Sequence, residues 1–119
     1  MDVVRALTEG APARGASASS QTSIGAASAL VLASNPKRKG LIIQNTGTTI
    51  IKINLSTVAV TQTVYHIALK ACSAADDGSG GTYFDDCWVG PVTGISSGAG
   101  GTMVITEVTN NSPDYESSA

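Results

Sequence analysis

The stretch Leu41-Ile42-Ile43-Gln44-Asn45-Thr46-Gly47-Thr48-Thr49-Ile50-Ile51-Lys52-Ile53-Asn54-Leu55 decides the fold class. Two β-branched runs flank Gly47-Thr48, and each is too short and too branched for a helix. In the second run Ile51, Ile53 and Leu55 share one face while Lys52 and Asn54 share the other, because successive side chains of a strand point to opposite sides. The pattern predicts a β-hairpin with a single apolar face turning at Gly47-Thr48.

Similar short runs continue on either side. Residues 29–33 read as a strand closed by Asn35-Pro36, a strong turn dipeptide. Residues 64–69 read as a fourth strand. Tyr83-Phe84 and Cys87-Trp88-Val89 form or flank a fifth, with Trp88 in the core. Gly90-Pro91 turns the chain into a sixth strand, residues 92–95, and a Gly-rich turn leads to a seventh, residues 102–108. About seven short strands with regular turn signals predict an all-β fold, an antiparallel β-sandwich or jelly-roll-like barrel, over residues 35–109.

The flanks read differently. Residues 1–34 are expected to be an N-terminal arm: a short helix and then an Ala/Ser/Gly-rich extended segment. Asp2 serves as N-cap and Gly10 as stop, which places Val3, Val4 and Leu7 on one helical face. Two helical turns are not stable alone, so this face is expected to dock on a neighbour, a frayed end being the alternative. Val3, Val4, Leu7, Arg5, Arg14 and Ile24 are the candidate partner-interface residues. The linker-like residues 10–29 can span roughly 65 Å when extended, at about 3.3 Å each. Residues 110–119 form a polar C-terminal tail.

Composition narrows the function. The chain has 119 residues, enough for one ordinary domain, and only 13% are charged, against about 25% in a typical soluble domain. A surface of Ser, Thr, Ala and Gly suits close protein contacts. A module of this size gains stability from partners or oligomerisation. The net charge of −2 resides in Asp114 and Glu116, since charges elsewhere cancel. No segment has the basic excess that nucleic-acid backbones demand, and Lys37-Arg38-Lys39 reads as a solvated turn. No apolar run approaches the roughly 20 residues of a membrane helix, and no secretory leader is evident, which predicts synthesis in a cytosol. Cys72 and Cys87 are then expected to be reduced and at least partly buried, a disulfide across neighbouring strands being the alternative.

Several patterns imitate chemistry. Gly94-Ile95-Ser96-Ser97-Gly98 has the letters of a nucleophile elbow, but the downstream helix and histidine are missing. Gly98-Ala99-Gly100-Gly101-Thr102 lacks the Lys-Ser/Thr ending of a phosphate loop. Asp76, Asp77, Asp85 and Asp86 do not have calcium-loop spacing, and two Cys with one His do not complete a zinc site. His66 reads as a partly buried strand histidine. The expectation is no enzyme, no cofactor, no metal and no catalytic residue.

The residues Asn35-Pro36-Lys37-Arg38-Lys39-Gly40-Leu41-Ile42-Ile43-Gln44-Asn45-Thr46-Gly47, the segment 83–91 and the segment 94–107 resemble small β-sandwich proteins among the virion genes of tailed bacteriophages. There an R-x-x-L-x-I-Q-N-x-G strand precedes a G-P-V-x-x-I-S-S-G-x-G-G-x-x-x-V-T-E-like end. The resemblance covers roughly residues 35–107 and not the arm. It implies a capsid decoration, or cement, protein. Such a subunit is made in the host cytoplasm, sits on the outer capsid and bridges major capsid protein subunits, with other copies of itself (a trimer, for instance) as further partners. Neither direct nucleic-acid contact nor a membrane is implied. A head–tail connector, tail or fibre-base component and a carbohydrate-binding sandwich are the alternatives.

Overall fold

A computed structural model describes residues 15–110. Eight strands follow one another: β1 (Gly15–Ile24), β2 (Ala29–Leu32), β3 (Arg38–Asn45), β4 (Ile51–Asn54), β5 (Ile67–Leu69), β6 (Thr82–Asp85), β7 (Val92–Ser96) and β8 (Gly101–Asn110). A front sheet in the order β1-β8-β3-β6 faces a back sheet in the order β2-β7-β4-β5. Every pairing is antiparallel, and β1 pairs with β8, β2 with β7, β3 with β6 and β4 with β5. This nesting is that of one long hairpin rolled up, the jelly-roll form of the β-sandwich. No helix occurs among the described residues.

Alternation builds the core. Leu41 and Ile43 of β3 and Met103 and Ile105 of β8 point back from the front sheet; Ile51 and Ile53 of β4, Leu69 of β5 and Val92 of β7 meet them from the other side. Each such side chain stabilises the fold by about 1.5–3 kcal/mol when fully buried.

The expected hairpin does not form. β3 pairs with β8 and β6, and β4 pairs with β7 and β5, so residues 46–50 arch from one sheet to the other. The cause is Asn45, fully buried at the end of β3. Its Nδ2 donates to the carbonyls of Thr49 (2.7 Å) and Leu69 (3.1 Å), and its Oδ1 accepts from the Gly47 N–H at 3.0 Å. A buried amide must satisfy its hydrogen-bonding groups, and here it does so by bending the chain across the core.

Arg38, expected in a solvated turn, is only 4% exposed. Its Nε donates to Glu107 at 2.8 Å, and its other nitrogens donate to the carbonyls of Ala33 (2.7 Å), Trp88 (3.2 Å) and Gly90 (2.9 Å). Burying a guanidinium is costly unless a carboxylate and further acceptors meet it, and all are present. Arg38 thus ties β3 to the chain leaving β2 and the chain entering β7 at one end of the sandwich. Asn45 does the equivalent at the other end.

The sequence reading ends the arm at residue 34, whereas Gly15–Ile24 and Ala29–Leu32 are strands of the two sheets. Within the described residues the sandwich therefore starts at Gly15. The helix expected at residues 2–9 and the tail beyond Asn110 lie outside the described residues.

Candidate assembly surface

Of the predicted interface residues, Val3, Val4, Leu7, Arg5 and Arg14 lie outside the described residues. Ile24 does not face outward: it closes β1, is 5% exposed and belongs to the core. Its phase in the strand explains this, since it follows Thr22 on the inner side of the sheet.

The residues best placed to meet a partner are those of the front sheet's outer face. The strand registers set three rows across it. Gln21, Val104, Gln44 and Thr82 form one row, Ser19, Thr106, Ile42 and Phe84 the next, and Ser17, Val108 and Gly40 the third. The Ser19 and Thr106 hydroxyls hydrogen-bond across their strands at 2.7 Å. These rows hold no charged side chain; Lys39 and Asp86 stand at one end of the face. Val104, Val108 and Ile42 are half-buried, and Phe84, on the edge strand β6, is 65% exposed. Water is displaced from such a face at little desolvation cost, because hydroxyls and aliphatic groups, not ions, have to be stripped.

The back sheet is covered in part, although Leu30 of β2 stays 58% exposed on its outer face and Val58 and Val64 of the β4–β5 connection are 66% and 67% exposed. Thr93 and Ile95 point outward from β7 yet are buried, because the β4–β5 connection folds over them. In that connection Val60 is 1% exposed, and the Val58 carbonyl accepts from Thr93 Oγ1 at 2.9 Å. Gln62 Nε2 donates to the Ser96 carbonyl at 2.8 Å, the Val60 N–H donates to Ser28 Oγ at 3.0 Å, and Lys52 Nζ lies 5.0 Å from the centre of the Tyr65 ring.

Beside the front face, Asp85 organises the turn after β6. One carboxylate oxygen accepts from the Tyr83 hydroxyl; the other accepts from the N–H groups of Cys87 and Trp88, the latter at 2.8 Å. The Tyr83 hydrogen bond, followed by the backbone donor of Cys87, lowers the Asp85 carboxyl to about 2. Burial, reinforced by Asp85, pushes the Tyr83 hydroxyl above its ordinary range. The hydrogen bond and charge of Asp85 push the exposed Cys87 thiol up as well. Ligand atoms of Asp85, Asp86 and Cys87 lie within 4.8 Å of one another. Both Asp85 oxygens already serve the turn, which gives the cluster a structural task. Trp88, expected in a core strand, lies in the following loop, packed against the core, and its indole N–H donates to the Pro91 carbonyl at 3.0 Å.

Other expectations resolve similarly. Cys72 and Cys87 are both free; Cys72 is buried and its thiol donates to the Asn45 carbonyl at 3.2 Å, but Cys87 is exposed, because the turn held by Asp85 carries it off the sheet. His66 is exposed, before β5 rather than within a strand, and its Nδ1 accepts from the Leu55 N–H at 3.0 Å. Ser96, the serine of the elbow-like pattern, is fully buried with its hydroxyl 2.6 Å from Thr49 Oγ1. Asp77 accepts from the Ser79 hydroxyl and N–H, which lowers its carboxyl below the ordinary value.

No protein-family model matches the chain, and no curated protein matches it. A solved Bacillus endospore appendage protein, described as forming a novel family of disulfide-linked pili, is similar over 81% of this chain and 86% of its own, at 16% identity and a TM-score of 0.45.

Proposed function

We propose that this chain is a structural virion subunit of a tailed bacteriophage that lies on the outer capsid surface, bridges major capsid protein subunits and stabilises the shell. The observation that carries the reading is the outer face of the front sheet, whose three rows hold no charged side chain and which no connection among the described residues crosses. The resemblance of residues 35–107 to phage virion sandwiches supplies the kind of partner. The jelly roll serves in viral capsid and lectin domains, a fold-level analogy that agrees without deciding the matter. Attachment through Val104, Ile42 and Phe84, helped by the segment before Gly15, buries modest area per copy and acts through many copies on one shell.

The test is co-sedimentation of the full chain with capsids lacking it, with bound copies counted at saturation. Hundreds of copies per particle are expected, and Phe84→Lys together with Val104→Lys should remove binding. Saturation at a dozen or fewer would move the protein to the neck or tail. Absence of binding would sink the reading.

One observation favours a second reading. Phe84 offers an exposed ring of the kind on which sugars stack, which a carbohydrate-binding sandwich would use. It stands alone on its face, with Tyr65 on the other sheet's cover. An oligosaccharide titration followed by Phe84 chemical shifts separates the two readings.

A further inference from the structure

Each sheet of the sandwich ends in two edge strands, and three of the four edges are blunted. β6 has four residues and ends at Asp85 and Asp86; β2 has four and an irregular register between Leu30 and Leu32; β5 has three and runs into Lys70. Shortness, bulges and charge are the devices by which proteins keep edges from pairing. β1 has none of them. It runs ten residues, Gly-Ala-Ser-Ala-Ser-Ser-Gln-Thr-Ser-Ile, and pairs with β8 along its whole length without a shift. It has neither charge nor proline, and from Ala16 to Gln21 it is exposed. No described strand covers its outer side.

We infer that two copies of this chain pair edge to edge through β1, antiparallel about a two-fold axis, joining their front sheets into one continuous sheet. The strand is compatible with itself: it lays small and uncharged residues opposite one another, with no like charges opposed. The pleat restricts the register. Ser17, Ser19, Gln21 and Ser23 share the outer face with β8's Val104 and Thr106, so outer residues must oppose outer ones. The axis therefore passes through a residue, and the two registers that keep the most of β1 paired put Ser19 opposite Ser19 or Ser20 opposite Ser20. The placement of the remaining chain agrees. Gly15 and Asn110 are paired, so the segments before and after the described residues leave from one end of the sheet. In an antiparallel pair those ends lie at opposite extremes and do not collide. Pairing also doubles the uncharged outer face, although the inference does not depend on what that face binds.

Sedimentation of the full chain without capsids, over rising concentration, tests it. A species of twice the 12.0 kDa chain mass is expected. A cysteine placed at the axis should cross-link the pair on oxidation, since directly opposed strand residues lie within disulfide reach. With Cys87→Ser as background, Ser19→Cys or Ser20→Cys, whichever is at the axis, should give a covalent dimer. Ser19→Lys with Gln21→Lys should return the species to monomer with an unchanged circular dichroism spectrum. A monomer at every concentration would overturn the inference. So would a dimer that neither cysteine cross-links, or one that persists in the lysine variant. Failure of capsid binding with an intact dimer would count against the shell reading alone.

Discussion

The two sheets turn opposite outer faces to the world. On the back sheet Thr93 and Ile95 would be open to water, but the β4–β5 connection lies over them with Val60 as its plug. On the front sheet Ile42, Val104 and Val108 point outward in the same way, and among the described residues no connection crosses them. Among the described residues the chain thus covers Thr93 and Ile95, leaves Leu30 beside them exposed, and covers none of the front row. An outward aliphatic row therefore acquires meaning from its cover rather than from its composition. The covered row is an extension of the core, and the front row keeps its contact with water.

The contrast can be broken first at the ties that hold the sheets together. Arg38→Ala should cost about 3–5 kcal/mol, because Glu107 and three carbonyls lose their donor at once. Urea unfolding would read this as a large fall in midpoint. Arg38→Lys should recover little, since an ammonium cannot span those acceptors in the guanidinium's plane. Asn45→Ala comes next, at about 2–3 kcal/mol, as the Thr49 and Leu69 carbonyls and the Gly47 N–H are left buried or loosened. The third prediction compares the faces directly. Val60→Ala on the covered side should cost about 2 kcal/mol from lost burial and the cavity left behind. Val104→Ala on the bare side should stay within about 0.5 kcal/mol in the monomer. Equal losses would erase the distinction.

The smallest effect is one of pH. Asp85 is held at about 2, below the ordinary aspartate value, chiefly by the Tyr83 hydroxyl. A lowered carboxyl contributes stability that is fully present above about pH 4 and fades as pH falls towards 2. Tyr83 behaves in the mirror sense: its raised hydroxyl favours the fold below about pH 10, and the contribution is lost as pH climbs beyond. Asp85→Asn should flatten the acid limb of a thermal-melt pH profile by lowering the neutral melting temperature, with little change near pH 2.

How much of this was legible in the sequence depends on what each residue faces. Strands with one buried face announce themselves, and Ile51-Lys52-Ile53 is readable on sight. The partners of such a strand are not, because an arch and a hairpin bury the same alternate residues; only the buried Asn45 separates them. β1 was invisible as a strand because nearly all of it is exposed on both faces, which leaves no periodicity to read, with Ile24 alone reaching the core. Arg38 was concealed within a basic triplet. Its signal was at the other end of the chain, where Glu107 stands in phase with Met103 and Ile105 and so calls for an inward cation. The candidate surface had a signal of the same kind: Ile42, Val104 and Val108 are aliphatic residues in the polar phase of their strands.

One further consequence follows from β8 lying between β1 and β3. The front sheet has no centre until Gly101–Asn110 has been synthesised, so β1, the first described strand, must wait unpaired for β8, the last. Pairings so distant along the chain fold slowly. During translation the early strands are open to chaperones and proteases, and a truncated product lacks the seam that would close it. Synthesis of β8 is in this way the step on which closure of the front sheet waits.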